Sequence, residues 1–339
     1  MMVVFTHANW TPENRMHPIF PFLINMAVPI FMVVTGINWC GAIERKHFLN
    51  SPMQFEELYA LPDILKKIVR LTAPFLVIFA WEVILNIQHG NVLTLSENIR
   101  GLYTGGWGQG SYYYPVMMQL VFFFPVLYLI MRNKPERGLV LCFFFNLLYE
   151  ITVQMYQVNI ESYRLFIFRY TFLIACGIYF GFRKNMIFST PLYKQLRWCL
   201  PAVIVGFLYL YVTTYTAYRE KIFQYWTSTS MLVAFWCVPL LFGFIILIEH
   251  IRFQIPILPI LGKASYHIFF VQMLYYQYYY KDILQFFAEQ SVLLMALLSV
   301  LICTAAGVAF YFLLTPVERY LSRFCVQVVD KLRQRWPDE

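Results

Sequence analysis

The sequence is poor in charge: only 13% of its 339 residues are Asp, Glu, Lys or Arg, about half the ~25% of an ordinary soluble domain. That scarcity excludes a conventional soluble enzyme. With 60% hydrophobic residues and a mean hydropathy of +0.58, the chain reads as an all-α polytopic membrane protein whose spans form one domain. It also lacks any CxxC spacing. Its seven cysteines lie in or beside apolar runs or, for Cys325, in the tail, so neither a disulfide framework nor a zinc site is expected, and no other metal. There is no internal repeat and no low-complexity linker. No charged leader precedes a small-residue cleavage site, so no cleavable signal peptide is expected.

The charge that is present is unevenly placed. A net charge of +8 would suit nucleic acid, but the cations sit between apolar runs, which predicts a membrane protein with no nucleic-acid partner. Met1–Trp10 holds an apolar run that stops at His7. A run that short cannot cross a bilayer, since a spanning helix needs about 20 apolar residues. It therefore reads as the far end of a first helix whose start is missing. Nine further spans are expected at Ile19–Asn38, Ile68–Ile87, Tyr113–Met131, Leu139–Met155, Leu165–Phe182, Trp198–Thr214, Met231–Ile248, Tyr266–Tyr280 and Val292–Leu314. Between the third and fourth lies the longest non-basic loop, Gln88–Ser111, with the glycine-rich stretch Gly105–Gly110 near its end.

Nineteen of the 26 Lys and Arg residues fall in alternate segments that would share one side. Arg15, Arg100, Arg164, Arg219, Lys221 and Lys281 fall on the other. The positive-inside rule then predicts ten spans with both termini cytoplasmic, in a cell (inner or plasma) membrane. Residues 1–318 would form the transmembrane domain. The tail, 319–339, mixes Leu321, Phe324, Val328 and Val329 with five basic residues. It reads either as an amphipathic helix on the lipid surface or as a solvated charged segment.

Ionisable residues inside spans are costly and usually functional. Glu82, Glu150 and Arg169 are expected at the depth where His7 closes the first helix, which suggests a polar chamber open to the extracytoplasmic face. Glu150 and Arg169 equally suit an interhelical ion pair, and His7 an interfacial imidazole. At the other face, Lys66, Lys67 and Arg70 precede Thr72-Ala73-Pro74. Such a cluster binds phosphate oxygens well, although positive-inside topology alone also accounts for it. Trp107, Tyr112, Tyr113, Tyr114 and Tyr275–Tyr280 are expected mostly as interfacial belt residues.

Several stretches, in order, resemble the membrane-integral acyltransferase-3 family of O-acyltransferases. They are Val3-Val4-Phe5-Thr6-His7, Val28-Pro29-Ile30-Phe31 through Gly36, Lys66-Lys67-Ile68-Val69-Arg70 through Phe75, Tyr113-Tyr114-Pro115 through Pro125, and Leu261-Gly262-Lys263-Ala264-Ser265-Tyr266-His267. Two features depart from the family pattern. The arginine that relatives carry a few turns before the first-helix histidine would lie upstream of Met1, and Gln272 stands where a ninth-span histidine is usual.

The resemblance implies transfer of an acetyl or similar acyl group from cytoplasmic acyl-CoA to a hydroxyl of an envelope or exopolysaccharide glycan. Lys66, Lys67 and Arg70 would then hold the CoA phosphates. His7 would act as general base or as covalent acyl carrier. From depth alone, Glu150 or Glu82 is the candidate to orient the imidazole, and Arg169 the candidate to steady the oxyanion. A polytopic transporter or flippase for a glycan or anionic metabolite is the alternative reading of the same intramembrane charges.

Overall fold

Helices account for all the regular structure in the computed structural model, which describes residues 2–8, 10–47, 55–216, 225, 229–251, 256–286 and 291–335; no strand occurs among them. Arg219, Lys221, Arg252 and the end of the tail, 336–339, lie outside the described residues. In order, the helices are α1 (Met2–Thr6), α2 (Pro12–Met16), α3 (Ile19–Phe22), α4 (Ala27–His47), α5 (Phe55–Leu58), α6 (Leu61–Gln88), α7 (Leu95–Thr104) and α8 (Tyr113–Arg132). There follow α9 (Pro135–Met155), α10 (Ile160–Leu165), α11 (Thr171–Ser189), α12 (Leu192–Tyr215), α13 (Ala234–Ile251), α14 (Leu258–Leu274), α15 (Tyr280–Phe286) and α16 (Val292–Arg335).

Among the described residues, six helices are long and apolar enough to cross a membrane: Ile19–Lys46, Glu56–Gln88, Tyr113–Arg132, Pro135–Met155, Met231–Glu249 and Val292–Lys331. Cys199–Tyr215 adds a shorter apolar helix. The chain is therefore a multi-pass membrane protein. Two further expected spans, Leu165–Phe182 and Tyr266–Tyr280, are helical but interrupted. The first is broken at Phe166, whose backbone is extended (φ −89°, ψ 133°), and continues through a 3₁₀ turn, Ile167–Tyr170, into α11. The second passes from α14 through a π-helical turn, Tyr275–Tyr279, into α15. The last helix, by contrast, runs unbroken past Leu314 to Arg335.

A break inside an apolar bundle must have its backbone groups satisfied by neighbours, because lipid offers none. Gln119 of α8 does this for the Phe166 break. Its Nε2 donates to the Leu165 carbonyl at 2.7 Å, and its Oε1 accepts from the Ile167 amide at 3.1 Å. Asn146 of α9 accepts from the Phe172 amide at 3.2 Å, satisfying one of the orphan donors at the start of α11. Elsewhere, His267 and Glu318, both buried, meet at 3.0 Å and tie α14 to α16.

Helices α4 and α11 cross with their backbones touching. A Cβ on Gly36 would lie 2.3 Å from the Ile174 carbonyl oxygen, and one on Gly177 2.0 Å from that of Val33. Close approach through small residues replaces the hydrophobic drive that helices lack in lipid. Helix α7, outside the spans, has a capping box. Thr94 Oγ1 accepts from the Glu97 amide, and the Glu97 carboxylate accepts from the Thr94 amide. The helix closes on Gly105, which is left-handed at φ 91°.

Candidate functional site

The chain after α7 does not remain a surface loop, as the apolar pattern suggests. Residues 105–112 turn back into the bundle between α6 and α14. Near the top of this descent the Trp107 amide donates to Glu82 Oε2 at 3.2 Å, and the Trp107 ring stacks on Phe79 at 5.0 Å. Further down, Tyr114 stacks on Phe75 at 3.8 Å and its hydroxyl meets that of Thr72 at 3.3 Å. From Glu82 to Phe75 is about 10 Å at 1.5 Å per residue. Helix α14 shows the same descent, since Gly108 packs on Met273 while Tyr113 lies against Tyr266. The chain from Trp107 to the first turn of α8 thus passes about 10 Å along both helices.

Glycine makes the entry possible. Gly106 has φ 105°, and a Cβ there would lie 2.4 Å from Glu82 Oε2. Glu82 is fully buried, and the Gly108 amide also faces its carboxylate, although Oε1 makes no hydrogen bond of ordinary geometry. The carboxylate therefore holds backbone donors of the re-entrant segment.

His7 stands at the end of α1, half-buried. Its side chain faces that of Gln109, and its ring lies 5.9 Å from Tyr276. Tyr276 fixes α1 as well, its hydroxyl donating to the Val4 carbonyl at 2.7 Å. Gln109 is itself held, because its carbonyl accepts from Gln272 Nε2 at 3.1 Å. Gln272, where the resemblance led one to look for a histidine, thus anchors the re-entrant segment. Beside His7 is a cavity of about 20 Å³, lined among others by Val3, Phe31, Tyr112 and Phe269. That volume holds about one water.

Glu150 and Arg169 form a second cluster. The Tyr163 hydroxyl lies 3.0 Å from both carboxylate oxygens of Glu150, while the Arg169 guanidinium sits over the Tyr163 ring, 4.7 Å from its centre. Tyr163 thus stands between the two charges. Arg169 also donates to Thr229 Oγ1 at 3.2 Å and lies over Tyr170 at 5.3 Å. It occupies the 3₁₀ turn before α11, not the body of a helix as the span pattern suggested. The clusters meet through Tyr112, which lines the His7 cavity and faces the Tyr170 hydroxyl. Gln109, not Glu82 or Glu150, faces His7, while Glu82 acts on the segment that carries Gln109.

At the opposite end of α6, Lys66 and Arg70 are exposed and share a face, four residues apart. Lys67 turns inward, its ammonium 4.7 Å from the centre of the Trp39 ring. Lys46 and Asp63 form an ion pair nearby.

Sequence reasoning missed Gln109, Tyr163 and Gln119, and assigned Tyr113, Tyr275, Tyr276 and Tyr280 to an interfacial belt, whereas all four are buried. The glycine cluster at 105–110 was the one available signal, because three of its glycines have positive φ. A family model described as an acyltransferase domain matches residues 1–315. No curated protein and no solved structure matches the chain.

Proposed function

The chain belongs to the acyltransferase-3 family, and from that premise we propose that it moves an acetyl or similar short acyl group from acyl-CoA to a sugar hydroxyl. The donor docks at the Lys66 end, on the cytoplasmic side of a cell membrane. The acceptor, an envelope or exopolysaccharide glycan, is met at the His7 end. The observation that carries the reading is His7 itself: an imidazole set beside Gln109 and Tyr276, lining a cavity with room for one hydroxyl.

The chemistry follows from that placement. An imidazole titrates near neutral pH and is suited to general-base work. His7 removes the proton of the sugar hydroxyl as its oxygen attacks the thioester carbonyl. The C–S bond then breaks, and the departing thiolate takes the proton back from the imidazolium. Developing negative charge on the carbonyl oxygen calls for a donor or cation. The Tyr112 hydroxyl at the cavity supplies the donor, with Arg169 behind it through Tyr170.

Lys66 and Arg70 offer exposed cations to the phosphates of the donor. From Arg70 to Glu82 along α6 is about 18 Å, a rise that a long flexible thioester arm would span. Family membership favours this reading over the transporter.

The test uses the full chain in lipid vesicles with acetyl-CoA and a glycan acceptor. Acceptor-dependent release of CoA thiol, with a raised KM for acetyl-CoA in Lys66→Gln/Arg70→Gln, supports the proposal. No thiol release at saturating donor would sink it.

A further inference from the structure

The imidazole at the reaction centre hangs from a short support. Helix α1 has five residues, Met2–Thr6, and a helix that short does not hold itself together, because nucleation outweighs its few bonds. Its last carbonyls have no partners further along a helix, and His7 follows them directly. Whatever fixes this turn therefore fixes His7.

Three consecutive carbonyls of the turn are each held by a side chain. Thr6 Oγ1 donates to the Val3 carbonyl at 2.6 Å, and Trp10 Nε1 donates to that of Phe5 at 2.6 Å. Between them, the Val4 carbonyl accepts from the His7 amide at 3.3 Å and from the Tyr276 hydroxyl at 2.7 Å. Thr6 and Trp10 are neighbours of His7 in the chain. Tyr276 is the one of these three side chains that comes from another part of the bundle, and it shares an acceptor with the backbone of His7 itself.

Tyr276 is in turn closely held. It lies buried in the π turn after α14, with Tyr275 edge-on at 5.1 Å and Tyr280 at 4.9 Å. The Tyr275 hydroxyl meets that of Ser299 on α16 at 3.0 Å, and Ser299 is fully buried. A line of contacts thus runs from α16 through the π turn to buried Val4, and from its carbonyl to His7. Single π turns within helices are frequent at functional sites. The Tyr276 ring adds a second contact, its centre 5.9 Å from that of the imidazole at an interplanar angle of 60°.

We propose that Tyr276 is the positioning residue for His7, its hydroxyl fixing the turn that carries the imidazole and its ring fixing the imidazole's tilt. This rests on the acyl-transfer reading and says how the base is aimed at the acceptor hydroxyl. A shift of about 1 Å at a reacting group can lower a rate by roughly 100-fold. The donor cations Lys66 and Arg70 stand on α6, away from this line of contacts, so the loss falls on kcat and spares KM for the donor. A tyrosine that served packing alone would lower stability and leave the folded protein at full rate.

The experiment compares Tyr276→Phe with the wild type as full chains in nanodiscs, with acetyl-CoA and a glycan acceptor. The substitution removes the hydroxyl and keeps the ring. It should lower kcat by about tenfold or more, with KM for acetyl-CoA within about twofold. Trp236→Phe removes a bond of the same kind, from Nε1 to the Phe22 carbonyl at 2.9 Å, and should keep the wild-type kcat. An unchanged kcat in Tyr276→Phe, or an equal fall in both variants, would overturn the proposal. Ring-labelled histidine, with the His7 resonance identified by its loss in His7→Ala, gives a readout independent of turnover. One sharp His7 resonance in wild type and a split or broadened one in Tyr276→Phe is expected, and identical resonances would overturn the positioning role. Should Tyr276→Phe fail to fold, Trp10→Phe frees the adjacent Phe5 carbonyl and should show the same loss of kcat and the same resonance change; a wild-type rate and resonance there would overturn the account of the turn. A wild type that transfers nothing, yet whose His7 resonance responds to Tyr276→Phe, refutes acyl transfer alone. One that transfers acetate while the variant keeps both rate and resonance refutes this inference alone.

Discussion

Replacing Glu82 with alanine should release the re-entrant segment. The Trp107 amide donates to Glu82 Oε2 at 3.2 Å in a fully buried setting, so removing the acceptor leaves a buried donor unpaired. Such an orphan costs about 1–3 kcal/mol. The segment 105–112 should therefore open more often, by roughly 5- to 150-fold. Hydrogen exchange on the full chain in nanodiscs reads this directly, as faster exchange at Trp107 and its neighbours with α8 and α9 unchanged. Glu82→Gln keeps a carbonyl oxygen for the same amide and should retain most of the protection. Because the segment carries Gln109, which faces His7, transfer should fall with protection in the alanine variant. Equal exchange in wild type and Glu82→Ala would refute the reasoning, because Glu82 would then not be what holds the segment down.

Tyr163→Phe keeps the ring beneath Arg169 but removes the hydroxyl from Glu150, and should cost about 1.5–3 kcal/mol as a lost bond to a buried charged group, read as reduced thermal stability in detergent. Gly177→Val should part α4 from α11, because its Cβ would meet the Val33 carbonyl at 2.0 Å, whereas Gly243→Val, with nothing within 4 Å, should be tolerated. The yield of folded protein distinguishes the two variants. Hydrogen bonds from Thr94, its hydroxyl first and its amide second, hold the Glu97 carboxyl below its ordinary 4.5. A depressed carboxyl stabilises above the unfolded value and loses that contribution as pH falls through the folded one. The protection factor at the start of α7, exchange corrected for its intrinsic pH dependence, should therefore stay constant down to about pH 4.5 and fall below it, a dependence weakened in Thr94→Ala, which keeps only the amide donor.

The membrane helices were legible because hydropathy and helix length are local. Tyr113–Met131 was expected and Tyr113–Arg132 is found. The irregular segments were not legible. The break at Phe166 is sustained by Gln119, nearly fifty residues earlier in the chain, and a window of hydropathy cannot see a partner at that distance. The re-entrant segment read as an ordinary loop because its polar atoms are satisfied by Glu82 and Gln272, on two other helices. The tyrosines at 275–280 looked interfacial by composition, yet a π turn rotates several of them into the core. His7, Glu82, Glu150 and Arg169 stood out because charge is scarce in lipid. What joins them is neutral: Gln109, Tyr112, Tyr163 and Tyr170.

The most direct test of the account is acetyl transfer by His7→Ala. The full chain and this variant, purified at equal yield into nanodiscs, would be given saturating acetyl-CoA and glycan, with ester-linked acetate measured by mass spectrometry. The account predicts acetate on the glycan with wild type and none above background with His7→Ala. Equal acetate from both would contradict it, because the proton of the hydroxyl would then be taken by some other group.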